Sequence, residues 1–167
     1  MATILFVCTG NLCRSPMAAA LLRARLARDP QRCHWTVQSA GTWAVDGEPA
    51  SENAVTALAG RGIDLSTHRA QEIKPELVEQ ADLILAMEPN HVEALRQAFP
   101  FASKRVYLLT EMVGQSYAIA DPYGMSENSY RTTANELERL IEGGYERITA
   151  LAEEHSRRLS ARPPASP

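Results

Sequence analysis

The residues best suited to chemistry are Cys8 and Arg14, in the segment Cys8-Thr9-Gly10-Asn11-Leu12-Cys13-Arg14-Ser15-Pro16. A thiol and a guanidinium joined by a short polar loop can hold a tetrahedral oxyanion and attack it. The guanidinium gives planar, bidentate hydrogen bonding to such an anion. The loop can turn backbone N–H groups inward, and a helix beginning at its end adds a positive dipole. The same fields favour the Cys8 thiolate. Gly10 relieves steric restriction, and Asn11 can hold a tight turn through its side chain. Ser15 can donate towards the thiolate while capping the helix. The chemistry that fits is phosphoryl transfer. A thiolate attacks phosphorus in line with the leaving group, the thiophosphate is hydrolysed, and two proton transfers complete the cycle.

Cys8 alone would read as an inert buried cysteine beside a helix cap. The strand before it, with Arg14 and Ser15 after it, turns the reading towards a site. A nucleotide phosphate loop is not supported, because no glycine-rich segment ends in Gly-Lys-Ser or Gly-Lys-Thr.

The surrounding sequence supplies elements to position this loop. Thr3 to Val7 reads as a buried strand. A helix follows, capped by Ser15 with Pro16 at its first position, and Met17, Ala20, Leu21 and Ala24 give it an apolar face. Trp35 to Ser39 reads as a second strand and Ala50 to Ala59 as a helix ended by Gly60-Arg61-Gly62. Asp64 to His68 reads as a connection. Ala81 to Met87 and Arg105 to Leu109 are further strands, with a helix over Pro89 to Ala98 between them. A terminal helix is expected from Asn135 to about Glu154, its apolar side carrying Leu137, Leu140, Ile141, Tyr145, Ile148 and Leu151. Gly143-Gly144 weakens it locally. Strands alternating with helices predict an α/β sandwich around a mainly parallel sheet. In such sheets sites lie beyond the strand C-termini, where Cys8 falls.

Composition narrows the setting. The chain has 167 residues, 45% apolar, enough for one domain with a substantial core. The formal net charge of -3 gives no general basic surface for nucleic acid. The three cysteines, Cys8, Cys13 and Cys33, form no secreted disulfide framework. Ile4 to Val7 is too short for a signal-peptide core, and no stretch approaches the roughly 18 to 20 apolar residues of a membrane span. A reducing cytoplasm is the expected compartment, with no membrane partner.

The chain resembles the low-molecular-weight protein tyrosine phosphatases, a group that also includes protein arginine phosphatases and some arsenate reductases. Cys8 to Pro16 fits the Cys-x5-Arg-Ser signature. Ser39-Ala40-Gly41-Thr42, Gly62-Ile63-Asp64-Leu65-Ser66 and Asp121-Pro122-Tyr123-Gly124 fit later landmarks. The resemblance implies a Rossmann-like three-layer sandwich with a central four-stranded parallel sheet. It implies one phosphatase domain over residues 1–155, with 156–167 a loose, proline-rich tail. It makes Cys8 the nucleophile and Arg14 the residue that binds phosphate and stabilises the transition state. Asp121 becomes the general acid and then the general base, with no metal or other cofactor. Thr9, Gly10, Asn11, Leu12, Cys13, Arg14 and Ser15 form the phosphate-binding loop, and Asn11, Ser15, Ser39 and His68 match a supporting hydrogen-bond network. Arg69-Ala70-Gln71-Glu72 departs from a common Arg-Ala-Arg-Gln pattern, leaving the part played by Gln71 open.

The substrate expectation rests on Leu12, Trp43 and Tyr123 as pocket residues. An aliphatic residue at Leu12 favours an aromatic ring, whereas arginine-directed members often have threonine there. Phosphotyrosine in a protein or peptide is therefore the expected substrate and phosphoarginine the alternative; phosphate and other tetrahedral oxyanions should also bind. Arsenate reduction is disfavoured, since no cysteine follows Cys33 to relay a disulfide. A phosphoprotein-binding module without turnover is the remaining alternative. Cys13 is a candidate partner for a reversible, protective disulfide with Cys8.

Overall fold

A computed structural model describes residues 1–163. Its strands are β1 (Thr3–Cys8), β2 (Thr36–Gly41), β3 (Leu83–Ala86) and β4 (Val106–Leu108), and all pair in parallel in the order β2-β1-β3-β4. The helices are α1 (Arg14–Leu26), α2 (Glu52–Ala59), α3 (Pro75–Gln80), α4 (Pro89–Ala98) and α5 (Glu127–Ser160). Two 3-10 segments, Pro100–Arg105 and Leu109–Val113, flank β4.

Side-chain alternation on the strands builds the three layers. From β1, Ile4, Phe6 and Cys8 enter one apolar core with residues of α1, α2 and α5. Leu5 and Val7 enter a second core on the opposite face, with Val78 of α3 and Val92 and Leu95 of α4. Leu83 and Leu85 of β3 join the first core, and Ile84 and Ala86 the second. Burial on both faces explains the unbroken apolar runs of the two central strands.

The strand order places a topological switch between β1 and β3. The chain leaves β1 towards β2 on one side and returns to β3 on the other, so the loops after β1 and β3 diverge and leave a crevice. Cys8 ends β1 at this crevice.

Three expectations change. Ser15 does not cap α1. The helix begins at Arg14 with Cys13 at the cap position and no side-chain cap bond. Pro16 therefore falls third in the helix, still within the first turn, where its missing N–H removes no helical bond. The terminal helix starts at Glu127, eight positions before the expected Asn135, because Ser126 caps it by accepting the Ser129 N–H. That helix continues to Ser160, so residues 156–160 of the expected tail are helical; residues 164–167 lie outside the described residues. Finally, α3 occupies a stretch with no expected element, since Val78 is its only buried residue.

Gly143-Gly144 has a packing role within α5. A Cβ on Gly144 would lie 2.6 Å from Met112 Cβ, so the pair lets the Leu109–Val113 segment pack against the helix.

Candidate active site

The loop from Thr9 to Cys13 turns back under the end of β1 before α1 begins. Asn11 makes the turn with a left-handed backbone, φ 56°. Gly10 does not have a positive φ, so the conformational freedom expected of it is used at Asn11 instead. Asparagine tolerates this region when its short amide bonds locally. Here Asn11 Nδ2 donates to Ser15 Oγ at 2.8 Å and to Ser39 Oγ at 2.9 Å, while Oδ1 accepts the Gln71 N–H at 3.0 Å. Gln71 also donates from Nε2 to the Ser39 carbonyl at 3.0 Å, which answers the question its sequence context left open.

His68 completes this support from the other side. Its Nε2 lies 2.8 Å from the Asn11 carbonyl, which can only accept, so Nε2 carries the proton. Burial pushes the His68 pKa down, and the Asn11 carbonyl pulls the other way. The four residues of the expected network, Asn11, Ser15, Ser39 and His68, are thus brought together.

Gly41 is required by close approach. A Cβ there would lie 2.4 Å from the Thr9 carbonyl oxygen. Just beyond it, the Thr42 and Trp43 N–H groups donate to the Cys8 and Thr9 carbonyls, each at 2.9 Å. The end of β2 therefore holds the loop through its backbone.

Of its two expected roles, Ser15 takes the one beside the thiolate and not the cap. Its Oγ accepts from Asn11 and sits 2.9 Å from Cys8 Sγ, which leaves its own proton to point at the sulfur. Arg14 is 2% exposed. Its Nη1 donates to the Ile119 carbonyl at 2.7 Å and lies 3.3 Å from Glu88 Oε1. Its Nη2 lies 3.5 Å from Asp121 Oδ2. Asp121 also accepts the Tyr123 N–H at Oδ1, 3.1 Å away, so one carboxylate both shapes its turn and faces the guanidinium.

Among the described residues, none of the backbone N–H groups from Gly10 to Arg14 donates to a protein acceptor. Buried backbone donors are almost always paired. A run of free ones beside a guanidinium and a helix N-terminus is an anion site. Cys8, Thr9, Gly10, Leu12, Cys13, Arg14, Asp121 and Tyr123 line one cavity of about 160 Å³ at this point. A thiol at its floor, with a carboxylate at its edge, can carry out nucleophilic displacement on a bound oxyanion.

This architecture is shared with known proteins. The family model described as low molecular weight phosphotyrosine protein phosphatase matches residues 3–157. The chain belongs to the low-molecular-weight protein-tyrosine/arginine-phosphatase family, bacterial type. It is an enzyme of that superfamily. It is 42% identical to the low molecular weight protein-tyrosine-phosphatase Ptp of Acinetobacter johnsonii, over 72% of this chain and 79% of that one. It is 41% identical to a protein-arginine-phosphatase of Geobacillus stearothermophilus, over 83% of this chain and 90% of that one. The crystal structure of a low molecular weight protein tyrosine phosphatase from T. tengcongensis superposes with a TM-score of 0.82 at 40% identity, covering 88% and 99% of the two chains.

The remaining expected residues fall unevenly. Leu12 and Tyr123 line the cavity, but the Trp43 side chain is not among its lining and is 82% exposed. The backbone of Trp43 is what engages the loop, and its ring is left to solvent. Cys13 lines the cavity beside Cys8, but its thiol is bonded to Ser51 Oγ at 3.0 Å and Tyr130 OH at 3.3 Å. Burial pushes the Cys13 thiol up, against the lowering effect of the Ser51 and Tyr130 hydrogen bonds. Burial and the bond to Cys13 likewise push Tyr130 up to about 12.

Sequence reasoning missed Glu88, His91, Ser51 and Tyr130. Glu88 and His91 follow β3 directly, so the rule that directed attention to the end of β1 applies equally to them.

Proposed function

We propose that this enzyme hydrolyses phosphotyrosine in proteins through a phosphocysteine on Cys8. The observation that carries the reading is the run of free N–H groups from Gly10 to Arg14, in the cavity that holds the Cys8 thiol. Those donors and the Arg14 guanidinium take the non-bridging phosphoryl oxygens and hold the charge of the transition state. The Cys8 thiolate attacks phosphorus while the aryl P–O bond breaks. Protonated Asp121 gives its proton to the departing phenolate oxygen. Water then attacks the phosphocysteine, Asp121 takes its proton, and the S–P bond breaks to release phosphate and the thiolate. Ser15 supports the sulfur's negative charge from 2.9 Å.

Leu12 and Tyr123 support an aromatic leaving group, as an aliphatic wall and a ring beside the cavity. Phosphoarginine is the second reading, supported by the relationship to the Geobacillus stearothermophilus arginine phosphatase. The free thiols suit work in the reducing cytoplasm. Among the described residues, no helix is long and apolar enough to cross a membrane.

The test is phosphate release from phosphotyrosine and phosphoarginine peptides under reducing conditions, with Cys8→Ser as control. We expect release from phosphotyrosine to dominate and to fall at least about 1,000-fold in the variant, which is about 4 kcal/mol of transition-state stabilisation. Preference for phosphoarginine would replace the substrate and keep the mechanism. Turnover surviving in Cys8→Ser would remove the nucleophile assignment.

A further inference from the structure

We propose that His91 is a positioning residue that ties both ends of the phosphate-binding loop into one unit, through Thr9 at one end and Glu88 with Arg14 at the other. The proposal rests on the phosphatase reading above.

His91 lies in the first turn of α4 and is 2% exposed. Its Nε2 is 2.8 Å from Thr9 Oγ1 and 3.3 Å from Glu88 Oε2. The other carboxylate oxygen of Glu88, Oε1, is 3.3 Å from Arg14 Nη1. The polar chain therefore runs Thr9–His91–Glu88–Arg14 and crosses from the loop after β1 to the loop after β3. Those are the two walls of the switch-point crevice.

The tautomer follows from the partners. The Glu88 carboxylate only accepts and Nδ1 faces no acceptor, so Nε2 carries the proton; it donates to Thr9 Oγ1, with Glu88 Oε2 alongside at 3.3 Å as an electrostatic contact. His91 Nδ1 is buried and has no partner among the described residues. A side chain there merely to fill space would leave no unpaired nitrogen in the core, and a leucine would serve. The imidazole is instead explained by what Nε2 reaches. Protonating Nδ1 would bury an unpaired N–H, and burial itself pushes the His91 pKa down against the pull of Glu88. The ring therefore stays neutral in the neutral range and works as a fixed bridge, hydrogen-bonded to Thr9 on one side and in electrostatic contact with Glu88 on the other.

Its consequence for the reaction is oxyanion affinity. Glu88 without its Nε2 contact is freer to move, and Arg14, which keeps its Ile119 and Asp121 contacts, is fixed less firmly on that side. Thr9 loses its only side-chain tether among the described residues. Preorganised donors lose effect when they must be ordered by the substrate.

The experiment uses the full chain, an aryl phosphate as substrate and inorganic phosphate as competitive inhibitor. His91→Leu should raise both the KM and the phosphate inhibition constant about tenfold, as expected when a buried hydrogen bond and a neighbouring charge contact are lost together. A purely structural role would lower the active fraction and the melting temperature but leave these constants alone. His91→Gln places an amide N–H at the reach of Nε2 and should restore both constants to within about threefold of wild type. Thr9→Val should raise the same constants, and the double variant Thr9→Val/His91→Leu should be no worse than the poorer single one. Unchanged constants in His91→Leu, equal damage in His91→Gln, or full additivity in the double variant would each overturn the proposal. If His91→Leu does not fold, His91→Gln and Thr9→Val still decide it, and wild-type constants in Thr9→Val overturn it. A wild-type enzyme that neither turns over the aryl phosphate nor binds phosphate would overturn the phosphatase reading itself.

Discussion

The floor and the rim of the cavity are built differently. On the floor, Asn11, Arg14 and Ser15 are 0–2% exposed, and each side chain has two or more polar partners. On the rim, Tyr123 is 64% exposed and its N–H donates to Asp121, while the Trp43 ring, outside the lining, is 82% exposed. The floor is ordered before any anion arrives, so it loses little by reorganising when one binds. The rim side chains have rotamer freedom to lose, so each contributes less on contact. Reaction chemistry and leaving-group recognition should therefore separate under mutation. Changes at Asn11, Arg14 or Ser15 should act on the chemical step or on folding, loosening of the loop through Thr9 or His91 on phosphate affinity, and rim changes on KM for the leaving group.

Asp121 stands between the two regions. It touches Arg14 on the floor, and its side chain is 45% exposed. Its substitution is expected to have the largest effect after that of Cys8. Asp121→Asn keeps the shape and removes the proton transfer, so kcat on a phosphotyrosine peptide should fall about 100- to 1,000-fold. The loss should shrink on an aryl phosphate whose phenol is acidic enough to leave unprotonated. Equal losses on the two substrates would show that Asp121 acts by holding Arg14 rather than by moving a proton.

Next comes the loop scaffold. Asn11→Ala removes three hydrogen bonds and leaves alanine in a left-handed turn. Ser39 Oγ and the Gln71 N–H lose their partner at once, and Ser15 Oγ keeps only Cys8. The expected destabilisation is about 2–4 kcal/mol by denaturant unfolding, with kcat/KM reduced about tenfold or more in the folded fraction. Gly41→Ala drives a methyl into the Thr9 carbonyl from the neighbouring strand and should produce the same paired loss. Wild-type stability in both variants would show that the loop holds its shape without this support.

The sequence carried the floor better than the rim for a physical reason. Chemistry and backbone constraint both restrict residue type, so Cys8, Asn11, Arg14 and Ser15 stand out as a spaced group. The sheet was legible because β1 and β3 are buried on both faces and read as unbroken apolar runs. The start of α5 was not, because its first two turns send only Tyr130, Thr133 and Ala134 inward, too few to set a period. Of the two roles read for Ser15, the place beside the thiolate is the one it takes; it does not cap the helix, because Asn11 and Cys8 engage its hydroxyl. The position of Glu88 and His91 after β3 was legible by the same rule as Cys8, but their partners were not, because the contacts with Arg14 and Thr9 span more than seventy positions and depend on β3 lying beside β1. Trp43 was assigned to the pocket by type, and only the backbone path from Gly41 shows that its ring faces outward.

The smallest expected effects belong to the rim, and they decide whether the comparison holds. Tyr123→Ala should raise KM for a phosphotyrosine peptide about three- to tenfold, since an exposed aromatic contact is worth about 0.5–1.5 kcal/mol. The melting temperature should not move, because the ring is mostly in water and its loss leaves the Tyr123 N–H on Asp121 in place. Trp43→Ala should change KM less than Tyr123→Ala, because the tryptophan side chain lies outside the cavity lining. Leu12→Thr sharpens the same point from inside the pocket. It removes aliphatic surface beside the leaving group and should shift the ratio of phosphotyrosine to phosphoarginine kcat/KM towards phosphoarginine. A rim substitution that lowers kcat while sparing KM would mean that the exposed ring orders Asp121 for its proton transfer, and the division between floor and rim would then fall inside the Asp121–Tyr123 turn rather than around it.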